Sequence, residues 1–128
     1  MEKYLFTNEQ RSLMENMKIP FDVYQLINGK IVTLLVSSGF CEMFGFNDPA
    51  SAYQEMENDI YKNIHPDDIA QISDKTFRFT NEGGNYEVIY RIRTKDLPEY
   101  KVIHATGKHY YTDNGVRLAH IWYTDEGN

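Results

Sequence analysis

Cysteine is nearly absent: Cys41 is the only one in 128 residues. One sulfur makes neither an internal disulfide nor a thiolate metal site. No apolar run approaches the roughly 18–20 residues a membrane-spanning helix requires. The opening MEKYLFTNEQ lacks the basic-then-apolar layout of a secretory leader. The expectation is a cytoplasmic chain with no direct membrane insertion, although a tethered cytoplasmic piece of a membrane protein would read alike. Positive charge is also scarce. Thirteen Lys and Arg stand against nineteen Asp and Glu, a formal net charge of −6, so nucleic acid is not an expected partner. The one dense basic stretch, YRIRTK, alternates as a strand does and reads as a solvated sheet face. There is no Gly-x-Ser-x-Gly elbow and no glycine-rich loop leading from strand to helix. Gly83-Gly84 lies between a helix and a strand, the wrong context for a phosphate loop. Repeats, low-complexity tracts and interior linkers are missing too, which leaves one domain around one core.

Local signals divide what is present. Residues 7–17 read as a helix: Thr7 caps it, Gln10 supplies the reciprocal partner, and Leu13, Met14 and Met17 form one apolar stripe. Pro20 ends it. FDVYQLINGKIVTLLVSS is a hairpin turning at Asn28-Gly29. Its second arm, KIVTLLV, is so continuously apolar that it predicts a central strand or one covered on both faces. SSGFCEMFGF predicts a short helix capped by Ser37 or Ser38, with Phe40, Met43 and Phe44 inward and Gly45 closing it. Asp48 and Pro49 start another. Ile69, Ile72, Thr76 and Phe79 lie on one side of a helix of about four turns. Three strand-like runs finish the chain, the last two joined at Asp113-Asn114-Gly115. The order predicts an α+β domain: one mainly antiparallel sheet of five strands, helices gathered on one face, and an N-terminal helix besides.

IHPDDI (64–69) is the densest cluster of reactive groups. Pro66 suits a first helical position, Asp67 and Asp68 complement the helix dipole, and Asp68 can reach back to the backbone N–H of His65. This gives His65, Pro66 and Asp68 a capping role; a metal would need further convergent ligands. The competing reading is a small enzyme with His65, Asp67 or Asp68 as general base, which requires one of them to face a cavity. His104 and His109, five apart on a strand, point to opposite faces and share no site. Cys41 falls in the apolar phase of its helix and reads as core. Tyr86, Val88, Tyr90 and Ile92 share one face of their strand, either as plain core or as a pocket wall.

In this order, SSGFCEMFGF, IHPDDI and YEVIYRIRTKD with the two strands after it resemble the joints of the PAS domain, a sensory module of signalling proteins. The resemblance runs over residues 21–125. Two features depart from it: KDLPEYK replaces the usual Asp-Gly turn, and the closing Asp-x-Thr is present only as Asp125-Glu126-Gly127. The resemblance implies a PAS domain over residues 19–128 with a flanking helix in residues 1–18. It implies the input module of a larger bacterial signalling protein, with a histidine kinase or a cyclic-di-GMP turnover enzyme as attached effector. The candidate ligand pocket is lined by Phe44, Ile72, Tyr90, His104 and Trp122, and the signal leaves near Asp125. Tyrosine hydroxyls would anchor an unknown small ligand there. Haem is not expected, because residues 66–81 hold no histidine, and flavin is not expected without the NCRFLQ-type string. No metal site is expected. Partners are a second copy, through the N-terminal helix or the sheet, and the covalently attached effector. A ligand-free dimerisation module with a filled core is the other alternative. The N-terminal stripe either makes a dimer contact or packs across its own sheet.

Overall fold

The structure is a computed structural model that describes residues 2–94 and 97–127. Its elements run α1 (Asn8–Glu15), β1 (Phe21–Ile27), β2 (Lys30–Val36), α2 (Ser38–Phe44), α3 (Pro49–Asn58), α4 (Pro66–Glu82), β3 (Tyr86–Ile92), β4 (Lys101–Tyr111) and β5 (Arg117–Gly127). The strands form one antiparallel sheet in the order β2-β1-β5-β4-β3. The α+β architecture expected from the element order is the one found. The Lys95-Asp96 part of the unusual turn, with the end of YRIRTK, lies outside the described residues.

Short-range chemistry places the ends. Thr7 Oγ1 accepts from Gln10 N while Gln10 returns a carbonyl to Thr7 N, so the capping box forms. The helix is shorter than the stripe suggests: Asn16 already caps its C-terminus, four residues before Pro20. Ser37, not Ser38, caps α2, and Gly45 closes it at φ +83°. Asp48 Oδ1 accepts from Ser51 N at the start of α3.

The sheet's inner face carries the main core. Tyr24, Val36, Ile103, Ile121 and Tyr123 meet Phe40, Phe44, Ile72 and Phe79 of the helices. On the outer face Phe21, Val23, Leu34, Leu35 and Leu118 are covered by Tyr4, Phe6 and Met14 of the N-terminal segment. That segment is fastened: Tyr4 N donates to Gln25 Oε1 at 2.8 Å, and Ser37 and Ser38 hydroxyls donate to the carbonyls of Ile19 and Met17. Gly39 permits this approach, since a Cβ there would sit 2.0 Å from the Lys18 carbonyl oxygen. The N-terminal stripe is therefore split. Met14 packs across its own sheet, while Leu13 and Met17 stay exposed.

Position and burial diverge at β2. It is an edge strand, not a central one, and its apolar run arises because Leu34, Leu35 and Val36 are covered from both faces. A bulge at Leu34, between the Val23–Leu35 and Tyr24–Thr33 pairs, lets the consecutive Leu34 and Leu35 both join the outer cluster while Val36 returns to the inner one.

Candidate functional site: an aromatic core around Asp22

At the centre of the inner face, β1 places Asp22 at 0 % exposure. Its register neighbours are Val36 and Ile121, so apolar side chains flank it in the sheet. The Tyr123 hydroxyl, one residue pair along β5, donates to Asp22 Oδ1 at 2.9 Å. Asp22 Oδ2 is buried and has no hydrogen-bond partner among the described residues. Burial dominates the carboxyl and pushes its pKa from 3.8 up to about 7, with the Tyr24 and Tyr123 hydroxyls pulling it part of the way back. Four tyrosines surround it: the phenols of Tyr24, Tyr90 and Tyr123 are driven well above their ordinary value by burial, and Tyr86 is raised to about 12. Tyr86 is tied in turn to Thr76 of α4 at 3.0 Å. Within this core one hydroxyl bond thus ties α4 to β3 and another ties β5 to β1.

Beside these rings lies a small cavity of about 30 Å³, lined by Phe44, Ile72 and Tyr90 together with Tyr24, Tyr86 and Tyr123. A volume of this size holds one water. Three of the five expected pocket residues thus converge, but on a space filled by aromatic rings rather than one of ligand dimensions. A second, open groove of about 1000 Å³ runs between β2, the end of α3 and the side of α4. Met56, Ile60 and Tyr61 line both spaces and form the partition between them.

His104 and Trp122 do not belong to this pocket. On β4 the inward positions are Ile103, Ala105 and Gly107, which leaves His104 on the outer face between Glu87 (2.8 Å) and Glu126 (3.5 Å). On β5 the inward positions are Ala119, Ile121 and Tyr123, so Trp122 points outward and stacks on His120 at 4.1 Å. Burial lowers the His120 pKa to about 4. His109 does face inward, where Nε2–H donates to the Phe79 carbonyl at 2.7 Å and burial lowers its pKa. It secures the end of α4.

The IHPDDI cluster opens α4, and Pro66 occupies its first turn. His65 Nδ1 accepts from Asp67 N at 3.1 Å. Asp68 does not turn back to the His65 N–H, which donates instead to the Arg91 carbonyl at 2.9 Å. Its carboxylate takes the Arg91 side chain at Nε (3.0 Å) and Nη2 (2.8 Å) and the Arg91 backbone N at 2.9 Å. Local rules missed this because the partner is 23 residues away. Arg91 holds Asp68 below the usual carboxylate range, the opposite of what a general acid near neutrality needs. Asp67 is 80 % exposed. The cluster staples α4 to β3. Among the described residues no group of three or more His, Cys, Asp or Glu is arranged to hold a metal.

Cys41 lies in the core, its thiol pushed up to about 11 by burial. Asp125, near the end of β5, pairs in register with Ile103, accepts from Gly127 N at 2.8 Å and faces Lys101 at 3.5 Å. Asp22 is the residue the sequence reading passed over, although it shares the phase of Tyr24 in a strand with no polar face. No described helix is long and apolar enough to cross a membrane.

Comparison with known proteins agrees with this architecture. No curated protein matches the sequence. A sensory box histidine kinase/response regulator from Burkholderia thailandensis E264 superimposes with a TM-score of 0.56 at 21% identity, over 86% of this chain and 78% of that one. A PAS domain from Colwellia psychrerythraea gives 0.64 at 18% identity, over 93% and 96%. The Rhodobacter sphaeroides LOV protein gives 0.68 at 11% identity, over 96% and 70%. The model of the PAS fold family matches residues 33–123. With that match across most of the sheet and all of α2 to α4, the chain belongs to the PAS fold family.

Proposed function

We propose that this PAS domain is the sensory input module of a larger signalling protein, and that its signal is a change in the Asp22 core passed to β5. One observation carries the reading: the hydroxyl of Tyr123, on β5, is bonded to the Asp22 carboxyl buried in the aromatic core. Any event that ionises, hydrates or re-partners Asp22 changes a bond of β5, and Asp125 lies two residues beyond Tyr123 on the way out of the domain. The groove beside the Met56–Ile60–Tyr61 partition supplies the access route, for a small ligand or for a partner. A histidine kinase is the effector best supported, since similar folds occur in proteins so named. The domain does this without catalysis, as the roles of His65, Asp67 and Asp68 in fastening α4 suggest. Dimerisation through Leu13 and Met17, the exposed part of the α1 stripe, suits such a module.

Amide hydrogen exchange tests the coupling. Tyr123→Phe removes only the hydroxyl. It should speed exchange across residues 119–125 of β5 about tenfold while leaving β3 unchanged. Uniform change, or none, counts against the reading.

A further inference from the structure

The two long edges of β2 are treated differently by the rest of the molecule. Asn28 (φ +51°) and Gly29 (φ +79°) make a two-residue turn, so the closing pair Ile27 and Lys30 exchanges backbone hydrogen bonds. Alternation then directs the N–H and C=O groups of Ile31 and Thr33 away from β1. Farther along the same edge, outward groups are capped by side chains: Arg11 donates to the Leu34 carbonyl at 3.3 Å, and Val36 N donates to the Tyr53 hydroxyl at 3.1 Å. Ile31 and Thr33 have no such cap among the described residues. They line the 1000 Å³ groove. An uncapped strand edge beside a groove is a template for another strand.

The groove walls specify what kind of strand. Ile31 packs toward the inner core and Val32 toward the outer one, so added residues opposite Ile31 and Thr33 project inward. The groove is lined by the apolar side chains of Ile60 and Phe77 and by the carboxylates of Glu57, Asp59 and Asp74, the last of which also takes Arg78 at 3.2 Å. Lys3 and Lys30 also line the groove, Lys30 on the strand itself in the phase of Val32, so the carboxylates outnumber the cations by three to two. Arginine suits this wall, with its stem on the apolar surface and its guanidinium at the carboxylates. We infer that β2 binds an extended peptide segment of a partner protein, paired through Ile31 and Thr33, with basic side chains facing α3 and α4. This deepens the input-module reading by naming a partner's chemistry, but it fails separately, because β5 coupling is measured without any peptide.

The test uses the full 128-residue chain and an eight-residue peptide of alternating valine and arginine, followed by amide NMR titration. Binding should shift and protect Ile31 and Thr33. Methylating the peptide's backbone nitrogens at alternate positions should weaken it at least about tenfold in one of the two phases. Thr33→Pro, which removes an outward N–H on an edge strand, should do the same while leaving the unfolding midpoint near wild type. Replacing arginine by glutamate in the peptide should weaken binding about fivefold or more. No binding at millimolar peptide overturns the proposal, as does equal binding of both N-methylated peptides. A doubled sedimentation mass without peptide, reversed by Ile31→Pro, would assign the edge to a second copy and overturn it too.

Discussion

Replacing Asp22 by asparagine keeps the shape of the side chain and an acceptor for Tyr123, and removes the charge. In the folded chain burial among tyrosines, with no cation against it among the described residues, raises the carboxyl from 3.8 to about 7. Between those pH values the folded protein keeps a proton that the unfolded chain has released. The contribution of Asp22 to stability therefore falls as pH rises through this window, and its full penalty is present above about pH 7. A displacement of about three pH units at ~1.4 kcal/mol each comes to about 4 kcal/mol. Asp22→Asn should match wild type in pH dependence below about pH 4 and gain on it steadily from there to pH 7. With a urea dependence of about 2 kcal/mol/M, the gain is a midpoint shift of roughly 2 M by pH 8. His109 and His120, whose lowered pKa values make stability fall as pH drops below 6.5, act equally in both proteins and cancel in the difference. Urea titrations from pH 4 to 8.5, followed by Trp122 fluorescence, measure it. Parallel curves for the two proteins would refute the assignment of a buried, proton-holding Asp22.

Four further outcomes follow from named contacts. Leu35→Ala should lower stability by about 2–5 kcal/mol in chemical denaturation, because Leu35 has no exposed surface and its loss opens a cavity. Gly39→Ala should destabilise by at least about 1–3 kcal/mol, since its Cβ meets the Lys18 carbonyl, and the thermal midpoint reports it. Asp68→Asn should lower the thermal midpoint at pH 7 and reduce the loss of stability as pH falls below about 4, because the Arg91 contact that depresses the Asp68 pKa is weakened. Cys41 should resist a thiol reagent at pH 8 in native buffer and react at once in urea.

Helix ends and turns were readable because their chemistry is local. Thr7 with Gln10, Ser37, Asp48, Gly45 and the Asn28-Gly29 turn each act within a few residues, and the structure places each of them as expected. Strand phase was readable only where one face is wet. On β3 the alternation of Tyr86, Val88, Tyr90 and Ile92 survives in the burial pattern. At β5 the outer face is covered only near Leu118, and the run Ile121, Trp122, Tyr123 is aromatic or apolar throughout, so hydropathy alone does not say that Trp122 takes the outer side. His104 misled for a related reason: Ile103, Ala105 and Gly107 mark the inward side, and two of those residues are small. The Asp68–Arg91 pair and the uncapped edge of β2 depend on sheet order, which no local rule supplies. Asp22 shows the opposite failure. Its phase was visible, but an acidic residue is ordinarily assigned to the surface.

The central claim is that the Asp22–Tyr123 bond carries the state of the core out of the domain along β5. Fusing residues 1–128 in frame to a histidine kinase catalytic core, and measuring autophosphorylation of wild type and Tyr123→Phe between pH 5.5 and 8.5, tests it most directly. The account predicts output that changes several-fold in wild type as pH crosses about 7, and a flattened response in Tyr123→Phe. Identical pH profiles from the two fusions would contradict it.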